Sequence, residues 1–144
     1  MKKRTLLAAL LCVAAAATSA HEYYARGFTI VHPWAEATAP GARSADVFLR
    51  LEGITADDRL IGARSSLAAR IELRGPGQQP AGAAPAVLTS IALAAGSDVA
   101  LTPEGAHLTL LELTRPLQWG FSYPLTLVFE KSGEIDTMLS VGSH

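Results

Sequence analysis

Asp46-Val47-Phe48-Leu49-Arg50-Leu51-Glu52 is the stretch on which the fold turns. Val47, Leu49 and Leu51 alternate with Asp46, Arg50 and Glu52, the two-residue period of a strand with one buried face. Phe48 interrupts the polar side, so that side is expected to be partly covered too. Working outward, extended signals recur at Phe28–Ala35, Arg59–Arg64, Ala69–Arg74, Val87–Leu93, Asp98–Leu101, His107–Leu113, Leu125–Phe129 and Ile135–Val141. Turn signals separate them: Ala39-Pro40-Gly41, Ala95-Gly96-Ser97, Pro103-Glu104-Gly105, Arg115-Pro116 and Ser132-Gly133. About eight short strands at such spacing predict an all-β sandwich or barrel. Residues 63–72 hold enough Ala and Arg to be read alternatively as a short helix. Gly75 to Pro85, with three Pro and three Gly, is the longest irregular connection in the chain.

The rest of the sequence bounds the setting. The chain has 144 residues, enough for one domain. Residues 1–20 (MKKRTLLAALLCVAAAATSA) run from a basic start through an apolar stretch to small residues, the pattern of a cleaved secretory signal. A cut after Ala20 would make His21 the mature N-terminus, and a cut after Ala17 is the alternative. Residues 21–144 are then one domain, expected in the periplasm, with no further segment apolar enough to insert in a membrane. The lone cysteine, Cys12, falls inside the leader behind Leu11, which is not the small residue a lipidation site needs. The mature chain thus has no thiol for a disulfide, a metal or a nucleophile. The whole chain has 12 Lys and Arg against 13 Asp and Glu, and three of the cations (Lys2, Lys3, Arg4) leave with the leader. The remainder is acidic by four charges, which argues against a nucleic-acid partner. With aromatics at only 6%, the core must come from Leu, Val, Ile and Ala.

His32-Pro33-Trp34-Ala35, Thr38-Ala39-Pro40-Gly41-Ala42, Asp58-Arg59-Leu60-Ile61-Gly62-Ala63, Leu101-Thr102-Pro103-Glu104-Gly105-Ala106-His107-Leu108, Leu113-Thr114-Arg115-Pro116-Leu117 and Pro124 to Glu130 occur in that order. Together they resemble the periplasmic copper chaperones of the PCuAC family over nearly the whole mature chain. The resemblance implies a cupredoxin-like antiparallel β-sandwich or Greek-key barrel, and a role in carrying copper towards respiratory oxidase assembly. It also implies a Cu(I) site of two His and two Met, spaced His, ten residues, Met, twenty-one residues, His, one residue, Met. Anchored on His107, that spacing puts the other three ligands at Arg74, Pro85 and Thr109. Arg is a permanent cation and Pro has no donor side chain. The expectation is a family member without the usual soft-ligand Cu(I) grip.

Other candidates follow from residue chemistry. His21, once an N-terminus, offers an amine and an imidazole to one ion, a nitrogen pair that suits Cu(II) better than Cu(I). Glu22 or a further His would complete such a set; alternatively the signal merely ends before a His. His107 is either a remnant metal ligand or a hydrogen-bonded edge histidine. His32, followed by Pro33, reads as structural over Trp34, and His144 as a solvated tail residue. Met138, the mature chain's only methionine, reads as core filler. Arg70, Glu72 and Arg74 share one strand face as an ion-paired surface or an anion or partner site, and Asp57-Asp58 as a solvated turn. No nucleophile elbow, phosphate loop or dinucleotide fingerprint occurs, so the chain is not read as an enzyme. Two functions stay open: copper handling through His21, His107 or both, with a copper-acceptor protein as partner, or a metal-free interaction module on the same scaffold.

Overall fold

The computed structural model describes residues 21–76 and 86–142. The leader with Cys12, most of the Pro/Gly connection including Pro85, and His144 lie outside those residues. The described chain is all β: β1 (Glu22–Tyr24), β2 (Thr29–Ala35), β3 (Ser44–Glu52), β4 (Asp58–Arg64), β5 (Ala68–Arg74), β6 (Val87–Leu88), β7 (Ile91–Leu93), β8 (Val99–Leu101), β9 (His107–Leu113), β10 (Ser122–Phe129) and β11 (Gly133–Val141). Among the described residues no helix is long and apolar enough to cross a membrane.

Eleven strands replace the expected eight or so, and each difference has a physical cause. β1 is a three-residue addition that pairs only with β2. The Val87–Leu93 signal divides because Leu88 pairs with Leu73 of β5, whereas Ile91 to Leu93 pair with β4. The intervening Thr89-Ser90 moves the chain from one neighbour to the other. Residues 63–72 form strand, turn and strand rather than a helix. There Ser65 Oγ accepts the Leu67 N–H at 3.2 Å and donates to the Pro124 carbonyl at 2.6 Å. Cross-strand bonding overrides the helical preference of Ala and Arg.

The strand order is β6-β5-β9-β3-β2-β11-β10-β4-β7, with β8 beside β3. β3 joins two sheets: Ser44 to Val47 pair with β9, while Leu49 to Leu51 pair with β8 and residues from Phe48 to Glu52 with β2. The pairing is antiparallel except between β11 and β2, where Ser140 and Val141 run parallel to Trp34 and Ala35. Alternation then builds the interior. Val47, Leu49 and Leu51 of β3, Leu108 and Leu110 of β9, Leu125, Leu127 and Phe129 of β10 and Leu139 of β11 form one buried cluster. Each such aliphatic side chain contributes about 1.5–3 kcal/mol by leaving water. Phe48 points the other way and is also buried, while Asp46 and Arg50 on that side are exposed, so the outer side of β3 is partly covered, as its sequence predicts.

The expected solvated turn at Asp57-Asp58 holds for Asp57, which is exposed, but not for Asp58. Asp57 accepts the Ala95 N–H at 2.8 Å. Asp58 is buried and accepts the N–H groups of Arg59 and Lys131 at 2.8 Å, and the N–H and hydroxyl of Ser132 at 3.1 and 2.6 Å. Burial works against its charge, but the Ser132 hydroxyl and these N–H donors prevail and hold its carboxyl below the ordinary pKa. One carboxylate thus ties the start of β4 to the β10–β11 turn.

Candidate metal centre

The sheet built from β5, β9 and the first half of β3 places Arg74, His107 and Thr109 of the expected copper position on one face, opposite the buried Leu108 and Leu110. Arg74 lies directly across from His107, and Glu72 across from Thr109; on the other side Thr109 faces Asp46. Residues in register share a face, so one row runs Glu72, Thr109, Asp46 and the next begins Arg74, His107. The strand parity that predicts Arg70, Glu72 and Arg74 on one side therefore holds.

His107 is 5% exposed and interior to the sheet rather than at an edge, since β9 lies between β5 and β3. Its Nδ1 is 2.9 Å from the Gly105 carbonyl. A carbonyl only accepts, so the proton of this bond sits on Nδ1, and in the neutral ring Nε2 keeps its lone pair. Nε2 faces Asp46 Oδ1 at 3.8 Å. The same oxygen accepts the Thr109 hydroxyl at 2.9 Å. Phe48 covers the imidazole, ring centroids 6.1 Å apart, and Trp34 packs on Phe48 at 4.9 Å. Asp46 and Phe48 also line a cleft of about 390 Å³ with Glu36, Thr38, Ser44 and Pro103.

The charges beside His107 are paired. Arg74 donates to one Glu72 oxygen through Nε at 3.1 Å and Nη2 at 2.7 Å, and Arg70 lies 3.6 Å from Glu72 and 3.8 Å from Glu112. The ion-paired reading of this surface is the one the geometry takes. Among the described ligand positions, Arg74, His107 and Thr109, only His107 has an imidazole lone pair, and its other nitrogen is anchored on a carbonyl as that of a ligating imidazole characteristically is. Asp46 is the neighbour that sequence reading passes over. Only the β3–β9 register brings it to His107.

The second candidate, His21, is exposed and stands just before β1. Its carbonyl accepts the His32 N–H at 2.6 Å, continuing the β1–β2 ladder by one residue. The two rings meet edge to face with centroids 4.9 Å apart. His32, expected to be only structural, is therefore a partner of His21. It holds a φ of 52°, a left-handed conformation rare for a residue other than glycine, at an irregularity between Val31 and Trp34. Ser140 Oγ lies 3.3 Å from His21 Nδ1. Both histidines and Ser140 line a cleft of about 310 Å³ whose rim carries Trp119 and Phe121, 70% and 56% exposed.

Met138 is not core filler. It is 39% exposed on β11, while its neighbours Thr137 and Leu139 take the interior side. Strands β2 and β3 separate β11 from the strand that carries His107. Among the described residues no three His, Cys, Asp or Glu side chains form a ready-made metal cluster.

Comparison with known proteins places this geometry. A family model for LpqE-like lipoproteins matches residues 28–141. The copper-bound PCuAC domain from PmoF2 is 29% identical, with 86% of this chain and 99% of that one covered and a TM-score of 0.73. The apo PCuAC domain from PmoF1 is 26% identical, with 86% and 100% covered, again at 0.73. The Cu(I) form of DR1885 from Deinococcus radiodurans shares the fold at 21% identity and a TM-score of 0.64, over 77% of this chain and 75% of that one. No curated protein matches the chain.

Proposed function

The chain belongs to the LpqE-like family of PCuAC-type domains, and from that premise we propose that it is an exported copper-handling protein that takes copper through nitrogen donors. The observation that carries the reading is the pairing of Arg74 with His107. A guanidinium offers no lone pair and brings a permanent positive charge to the place where the resemblance implies a ligand. Thr109 offers only a hydroxyl, already given to Asp46. What remains is an imidazole nitrogen facing a carboxylate, a nitrogen and oxygen set that favours Cu(II), whereas thioethers favour Cu(I). His21 supplies a second set of the same kind once the leader is cut after Ala20.

Export through residues 1–20 puts this chemistry in the periplasm. The protein acts as a carrier rather than an enzyme: it holds copper and passes it to an acceptor protein, in the family's sense towards respiratory oxidase assembly. A copper-bound domain 29% identical supports copper as the cargo. A second reading, a metal-free interaction module, is favoured by one fact. Among the described residues no fully buried side-chain nitrogen or oxygen lacks a hydrogen-bond partner, and the charges beside His107 pair with one another.

Titration of the mature protein with Cu(II) and Cu(I) decides between them, once N-terminal sequencing has shown that it begins at His21. Saturable Cu(II) binding that weakens in His21→Ala or His107→Ala is the expected result. Absence of saturable binding of either ion contradicts copper handling and leaves the interaction module.

A further inference from the structure

We propose that the cleft beside His107 binds an organic cation, a guanidinium group in particular. The proposal goes beyond the copper reading and does not rest on it. This cleft of about 390 Å³ has no Lys or Arg among its lining residues, and the groups around it are hydrogen-bond acceptors. Glu36 stands exposed just past the end of β2, and among the described residues its carboxylate has neither an ion pair nor a hydrogen bond. Asp46 accepts the Thr109 hydroxyl on one oxygen at 2.9 Å and leaves the other open. His107 adds a third acceptor. Its Nδ1 proton is given to the Gly105 carbonyl, so Nε2 keeps its lone pair and faces Asp46 Oδ1 at 3.8 Å. That nitrogen makes no hydrogen bond although His107 is only 5% exposed. Because no sealed side-chain nitrogen or oxygen of the described residues lacks a partner, its tip reaches solvent. A buried ring with an unused acceptor at an open tip calls for an N–H donor.

Charge, shape and rigidity select guanidinium. Two carboxylates without a cationic partner attract positive charge. Arg74 does not neutralise them, since it is engaged by Glu72 and β9 lies between its strand and that of Asp46, a separation of roughly 10 Å. Among the described residues no three His, Asp or Glu side chains converge as a bare metal ion would require. Acceptors spread in this way suit a planar group whose five N–H donors are spread too, and which serves a carboxylate and an imidazole together. Phe48 and Pro103 give the cleft an apolar wall for the methylenes of an arginine-like stem. The wall that carries Glu36 is held in place by Thr38, which donates its N–H to the Leu117 carbonyl at 3.0 Å and accepts the Leu117 N–H on Oγ1 at 2.9 Å.

The test titrates the metal-free mature protein with N-acetyl-arginine amide and with agmatine, followed through backbone amide chemical shifts. N-acetyl-citrulline amide, of the same shape without the charge, is the control. Saturable shifts at Ala37, Asp46 and Thr109 with a guanidinium probe, and none with citrulline, are the expected result. Tighter binding of the arginine amide assigns the cleft to an arginine side chain of a partner protein, and tighter binding of agmatine to a free guanidino amine. Glu36→Gln and Asp46→Asn are each expected to weaken Kd about tenfold, the loss of one charge-assisted hydrogen bond. Glu36 is exposed and unpaired, so its variant keeps the test decisive should Asp46→Asn unfold. No saturable shift with either probe, the same shifts with citrulline, or wild-type affinity in the folded carboxamide variants would overturn the proposal, whether or not the protein binds copper.

Discussion

At His32 a side chain with a β-carbon occupies backbone space that glycine fills without cost. The left-handed conformation costs an L-residue roughly 1–2 kcal/mol, so ordinary truncation logic should invert. His32→Gly is expected to be more stable than His32→Ala by about 1 kcal/mol, read from urea midpoints at equal m-values. An alanine variant as stable as the glycine one would show that the strain is absent. The same residue marks the limit of what the chain discloses in one dimension. His21 and His107 are legible as donors from their chemistry and their place in familiar motifs. The partnership of His21 with His32, and of His107 with Asp46, requires the register between strands, which no local pattern carries. Met138 misleads for a related reason: alternation along β11 puts Thr137 on the buried side. Its hydroxyl donates to the Leu125 carbonyl at 2.8 Å, so a polar residue takes the interior place and the methionine faces outward.

Strands are legible wherever apolar residues alternate over five or more positions, as in β3, β9 and β10. A short element whose pairing is set by a distant partner is not, as β1 shows, and the single Val87–Leu93 signal does not disclose its division into β6 beside β5 and β7 beside β4. Asp58 shows how a loop-like dipeptide becomes an anchor, with three backbone N–H groups and a hydroxyl converging on one carboxylate. Asp58→Ala leaves those donors inside without an acceptor and is expected to cost about 3 kcal/mol. The pH dependence follows in sign. Because the folded carboxyl titrates below its ordinary value of 3.8, its contribution is complete above that value and is lost as pH falls through the lower folded pKa. Urea unfolding of wild type and Asp58→Ala from pH 7 down to pH 3 should therefore show the stability gap narrowing on acidification. A gap independent of pH would contradict the ionised anchor.

Over the whole molecule, an all-β class is readable from strand spacing and a PCuAC-type scaffold from six ordered segments, and the structural neighbours agree with both. The curled arrangement, in which β3 serves two sheets and β11 runs parallel to β2, depends on long-range pairing and is not. The central claim is that this scaffold persists while its soft ligands are replaced at Arg74, Pro85 and Thr109. Competitive Cu(I) titration of wild type beside the triple variant Arg74→His, Pro85→Met, Thr109→Met tests it most directly. Wild type is expected to lose copper to a chromophoric Cu(I) chelator, and the triple variant to retain it at least a hundredfold more tightly. Equal Cu(I) retention by the two proteins would contradict the claim.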